Sequence, residues 1–116
     1  MNIDFYAVNQ KHLTFLAGKD VVPGTFVKIS ANGTVAPCTT GDKPIGICKA
    51  NEGDCASIQL QGHCKITYTL PESAQVSLGY QGFVCSDSKT LKPDAAGREM
   101  LVLATDTSAK TADVLL

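Results

Sequence analysis

Thr34-Val35-Ala36-Pro37 returns 56 positions later as Thr90-Leu91-Lys92-Pro93, and this recurrence decides the fold. At the same offset Ser30 meets Ser86, Gly41 meets Gly97, Ala56 meets Ala112 and Leu60 meets Leu116. The apolar pairs Val35/Leu91, Ile45/Leu101, Ile47/Leu103 and Ile58/Val114 keep the spacing, so a core pattern and its turns recur together. Upstream, Gly24 lies near Gly79, and Phe26-Val27 lies over Phe83-Val84 after a small shift, as a lengthened loop in the second copy would produce. Two copies are too few for a solenoid, whose units must stack to bury a continuous core. Pseudo-symmetric closure is expected instead: an all-β, small single-domain β-barrel or sandwich, with pseudo-repeats at about 22–62 and 76–116. Residues 1–20 form an N-terminal arm or first strand, and residues 21–116 the barrel domain.

Between the repeated positions the chain alternates as strands do. Thr25 to Ser30 reads as a strand, Asn32-Gly33 as a tight hairpin turn that needs positive φ, and Thr34 to Ala36 as its return. Pro37 lacks an N–H and ends that ladder. Pro44 to Cys48 is the next strand. Glu52-Gly53-Asp54 then turns the chain into Ala56, Ile58 and Leu60, which alternate with Ser57, Gln59 and Gln61, giving one buried and one solvated face. After Gly62, Ile66, Tyr68 and Leu70 share a face, and Pro71-Glu72-Ser73 turns. The second copy runs from Val76 through Phe83-Val84 and Met100 to Ala104 into Ala112, Val114 and Leu116. An apolar repeat of 3.6 is lacking, so helix should be minimal, apart from a turn near Glu72 to Gln75.

Composition narrows function. A chain of 116 residues fits one domain and buries roughly two thirds of its unfolded surface. Ten basic and eleven acidic residues leave a net charge of −1, with no run of either sign. The positive field that nucleic acid requires is absent, so no nucleic-acid partner is expected. No apolar stretch reaches a membrane span, and Met1-Asn2-Ile3-Asp4 does not begin a signal peptide, so no membrane partner and cytoplasmic synthesis are expected. Cys38, Cys48, Cys55, Cys64 and Cys85 are irregularly spaced without a C-x-x-C pair, which fits packing thiols and not a zinc site. His63 and Cys64 are strand neighbours that point to opposite faces and cannot act as base and nucleophile. The glycines of Gly41-Asp42-Lys43 and Gly79-Tyr80-Gln81-Gly82 match no phosphate-binding loop, and the carboxylates fall in turns. No catalytic residue, cofactor or metal is expected, the protein is expected not to be an enzyme, and function should reside in its surfaces.

The surface that stands out is the N-terminal segment, where Ile3, Phe5, Tyr6, Val8, Leu13, Phe15 and Leu16 exceed the apolar content of a disordered tail. These are the candidate partner-binding residues. As an arm, the segment could add a strand to a sheet edge of a partner while Phe5, Tyr6 and Phe15 fill pockets.

Val22-Pro-Gly-Thr-Phe-Val-Lys-Ile-Ser, Asn32-Gly-Thr-Val-Ala-Pro, Pro44-Ile-Gly-Ile and Ala56-Ser-Ile-Gln-Leu-Gln-Gly, taken in this order, resemble the small capsid decoration or head-fibre proteins of tailed bacteriophages. Those proteins carry a G-x-x-V-x-[IL] strand, a D-x-P-I-G-[IV] strand and a V-x-L-x-G strand, and the resemblance covers roughly Val22 to Gly62. It implies an accessory protein that attaches to the outer surface of the assembled head shell and stabilises it. The major capsid protein would be its partner, the virion its location, and a homo-oligomer, with a trimer as the simplest guess, its assembly. It defines no catalytic residue. The alternative is a virion-surface glycan- or receptor-binding β module in which exposed Tyr6, Tyr68 or Tyr80 stacks on sugar rings.

Overall fold

The computed structural model describes residues 11–70 and 75–116. Ile3, Phe5, Tyr6 and Val8 lie outside the described residues, as does the turn at Pro71-Glu72-Ser73. Among the described residues the chain is all-β in one domain: ten strands and no helix. They are β1 Lys11–Ala17, β2 Phe26–Ala31, β3 Thr34–Pro37, β4 Gly46–Asn51, β5 Cys55–Gln61, β6 His63–Tyr68, β7 Gly79–Cys85, β8 Thr90–Pro93, β9 Arg98–Asp106 and β10 Thr111–Leu115.

Each repeat closes its own sheet. The first barrel runs β1-β3-β2-β4-β5 and the second β10-β6-β8-β7-β9, so each contributes five strands in the same order. Closure depends on a short parallel pairing in each copy: Leu16 and Ala17 of β1 lie opposite Thr34 and Val35 of β3, and Thr67 and Tyr68 of β6 opposite Thr90 and Leu91 of β8. β1 is therefore the counterpart of β6. The repeat begins at Lys11 and not near Val22, and the unit is 11–61 followed by 63–115. Lys11–Ala17 of the expected arm is the first strand.

The registers also correct two pairings. Val27 opposite Pro37 corresponds to Phe83 opposite Pro93, one position from the Phe-on-Phe match. Ile47 opposite Gln59 corresponds to Leu101 opposite Leu115, two positions from the match of Ile47 with Leu103. The two-residue slide leaves every side chain on its face, because strand periodicity is two. The one-residue slide does not, and it moves Phe26 out of the barrel interior.

Two clusters follow. Ala17, Val21, Val27, Val35, Cys48, Ala56 and Ile58 fill the first barrel. The second barrel's interior residues, among them Ile66, Phe83, Leu91, Met100 and Val114, pack in one cluster with Phe26, Cys38 and Ile47 of the first. Outward residues of the first barrel thus become core of the whole domain. Gln59 shows the same effect. The alternation in β5 puts it on the solvated face, yet it is fully buried, its amide donating to the carbonyls of Gln61 and His63 at 3.2 and 2.9 Å.

The hairpin turn at Asn32-Gly33 forms with Gly33 at φ 63°, and Asn32 does not share the positive φ. Ala31 lies opposite Thr34, so the turn has two residues, and a register shift between Ile29 and Ala31 places a bulge in β2 beside it. The C-terminal Leu116 N–H donates to Gly62 O at 3.0 Å, which ties the last strand to the junction of the two barrels.

Candidate functional site

β1 is built by its pairing with β5. Leu13 lies opposite Ile58, Thr14 opposite Ser57 and Phe15 opposite Ala56, so Leu13 and Phe15 share the inward face and Leu16 the outer one. Burial does not follow the faces alone. Phe15 packs against the first barrel's core, whereas Leu13 is 55% and Leu16 54% exposed. Beside Leu13 opens a groove of about 430 Å³ lined by Lys11, His12, Leu13, Leu60 and Gln61.

The backbone of β1 carries a second feature. Only Leu16 and Ala17 pair with β3, so among the described residues Lys11 to Phe15 is paired with a strand on one side alone. A half-paired run of N–H and C=O groups with exposed leucines is a ready edge for another extended chain. The residues that precede it in sequence carry Ile3, Phe5, Tyr6 and Val8.

Further exposed apolar residues were not singled out by the sequence pattern: Ile29 on the first barrel, and Leu70 and Leu78 on the second. Of the tyrosines considered for sugar stacking, Tyr80 is exposed, Tyr68 is buried in the second barrel, and Tyr6 lies outside the described residues. Tyr68 is unavailable because β6 turns it inward beside Cys64 and Ile66 at the period of two.

Reactive groups are occupied structurally. His63 Nε2 pairs with Asp113 Oδ1 at 2.9 Å on the outer face, while Cys64 faces inward and burial pushes its thiol pKa up. Asp42 accepts from Lys28 Nζ at 2.8 Å and from the Thr39 amide and hydroxyl at 2.8 and 2.9 Å, and these bonds lower its pKa to about 2. It is a loop organiser. Among the described residues no group of three or more His, Cys, Asp or Glu side chains could hold a metal ion.

Asp42 organises the β3–β4 loop, through which the first barrel contacts the second. Gly41 N–H donates to Cys85 O and Cys85 N–H to Asp42 O, each at 2.8 Å, and Phe26 N–H donates to Ser88 O at 2.7 Å. Thr40 Oγ1 donates to Ser86 O at 2.9 Å, and Arg98 reaches Leu60 O at 3.1 Å. The barrels are bound through backbone, charge-assisted and apolar contacts together, a seam that should act as one rigid body.

No protein-family model matches the chain, and no curated protein matches it at a significant level.

Proposed function

We propose that the protein is a decoration protein of a phage head, bound to the outer surface of the assembled shell and stabilising it. The observation that carries this reading is the half-paired stretch Lys11 to Phe15 with Leu13 and Leu16 exposed beside it. The motif residues of the resemblance support it: they supply the framework of the first barrel, β2, β3, β4 and β5. In this reading β1 and the residues before it add to a sheet edge of the major capsid protein, and the two barrels are a stiff body carried by that attachment. The protein is not an enzyme, it takes no cofactor, and its copies associate on the lattice, with a trimer as the simplest arrangement.

The physics suits the role. A protein that binds the assembled lattice better than free subunits stabilises the lattice by linkage. Repetition over many sites lets modest single contacts suffice. Co-sedimentation of the purified protein with mature and immature shells tests it. Saturable binding to mature shells that then survive more heat is expected, and absence of binding to either shell form rejects the reading. Exposed Tyr80 favours the second reading, a glycan-binding module, which predicts retention on glycan surfaces that Tyr80→Ala abolishes.

A further inference from the structure

We infer that the β2–β3 hairpin of the first barrel, residues 29–33, is a second docking surface. It receives an apolar loop of the major capsid protein in the way that the equivalent hairpin of the second barrel receives the chain's own loop 39–42. The inference rests on the reading of the chain as a head-decoration protein and adds where, and by what chemistry, the shell holds it. The ladders set the equivalence. Ile29 lies opposite Val35 and Cys85 opposite Leu91, and Val35 and Leu91 are partners in the repeat. Ile29 continues the inward face of Val27, and Cys85 that of Phe83, at the period of two. Yet Cys85 is fully buried and Ile29 is 51% exposed. Ser30, Ala31, Asn32 and Gly33 are exposed as well, whereas Ser86 and Ser88 of the second hairpin are partly covered.

The first barrel is what covers the second hairpin. Phe26, Cys38 and Ile47 bring apolar side chains into the cluster that holds Cys85. Backbone bonds fix the register: Cys85 N–H donates to Asp42 O and Cys85 O accepts from Gly41 N–H, each at 2.8 Å, while Ser88 O accepts from Phe26 N–H at 2.7 Å. Ser86 O accepts from Thr40 Oγ1 at 2.9 Å. Among the described residues, Ile29 makes no backbone hydrogen bond outside its own sheet. Its hairpin therefore fits a bulky apolar side chain beside a glycine turn that offers one N–H and one C=O. Apolar burial drives such docking, and the paired backbone groups fix its register. A second copy of the chain does not supply this plug. Its own loop 39–42 is engaged in its own seam, and the ladders put Gly82 in the second barrel where the first has Phe26. Asp94 likewise follows Pro93 where Cys38 follows Pro37. The second barrel thus lacks the apolar face that would carry a head-to-tail string of copies onward. The occupant is a different protein, and for a decoration protein that is the shell.

The test is co-sedimentation of the full chain with mature shells, comparing the native protein with Ile29→Glu, Ile29→Val and Leu78→Ser, the last an exposed leucine of the second barrel. Ile29→Glu should weaken binding about tenfold or more, and the other two variants should bind as the native protein does. Amide exchange at residues 29–33 should slow when the native protein is bound. That second measurement decides the matter if Ile29→Glu melts at a lower temperature. Equal binding by native protein and a stably folded Ile29→Glu, or unchanged exchange at residues 29–33 in the bound protein, would overturn the inference and leave the decoration reading standing. Native protein that binds no shell form would reject the decoration reading and this inference with it. Self-association that Ile29→Glu abolishes, with shell binding intact, would assign the hairpin to a second copy and also overturn the inference.

Discussion

Leu13 and Cys64 hold the same position in the two barrels, Leu13 opposite Ile58 of β5 and Cys64 opposite Val114 of β10, yet Leu13 is 55% exposed and Cys64 3%. The difference is one of neighbours. Cys64 packs in the cluster that the first barrel helps to build, whereas none of the described residues covers Leu13 comparably. A position whose twin is core, left open on the outer barrel, is where an apolar partner gains most by docking. It separates residues that support the fold from residues free to bind.

Substitutions along β1 should therefore split. Phe15→Ala removes a side chain packed on the first barrel's core and is expected to cost about 2–3 kcal/mol, less than a fully buried phenylalanine. Leu13→Ser and Leu16→Ser should change stability by about 0.5 kcal/mol or less while weakening shell binding. Chemical denaturation beside co-sedimentation checks both.

Phe26 holds the seam. It is 1% exposed, and its ring lies in the second barrel's cluster although its strand belongs to the first. Phe26→Ala should cost about 3–5 kcal/mol. Because the ring bridges the barrels, the variant should also raise amide exchange in the loop from Cys38 to Asp42, which urea titration alone would not show.

The loop should respond to acid. Bonds from Lys28 and Thr39 hold Asp42 at about 2, below its ordinary 3.8, and hydrogen bonds from the Lys89 amide and from Thr90 also lower Asp87. A carboxylate with a depressed folded-state pKa stabilises the fold above its unfolded pKa, and the effect is lost as pH falls through the folded value. Stability should decline between about pH 4 and pH 2, and Asp42→Asn should flatten that decline. Thermal melts of both proteins across this range decide it.

Gly46 tests the close approach of β4 to β5. A Cβ there would run into the backbone carbonyl of Gln59, with Ile58 Cγ2 at 2.9 Å. Gly46→Ala should cost about 1–3 kcal/mol by overpacking, whereas an alanine at an exposed strand position would not. Its melting temperature relative to the native protein measures this.

Much of the fold was legible because its punctuation is local. Pro37 and Pro93 end β3 and β8, and glycine turns set β2, β4 and β5. β1 escaped the repeat because loop lengths change its spacing: Leu16 corresponds to Thr67, 51 positions on and not 56. Nor could a period of two show that each copy closes separately, since closure rests on the parallel pairs β1/β3 and β6/β8, which are remote in sequence. The burial of Gln59 and the outward turn of Phe26 come from one barrel covering the other. Of the candidate site, Leu13, Phe15 and Leu16 are equally apolar as sequence; pairing with β5 puts Leu16 on the outer face, and the neighbours along the inward face separate the packed Phe15 from the exposed Leu13.

The most direct test is amide hydrogen exchange on the protein bound at saturation to mature shells, compared with the free protein. Slowed exchange at Lys11 to Phe15 on binding, with His63 to Ile66 of the equivalent strand β6 unchanged, is the predicted result. Failure to saturate any shell, or unchanged exchange at Lys11 to Phe15 in the bound protein, would contradict the account.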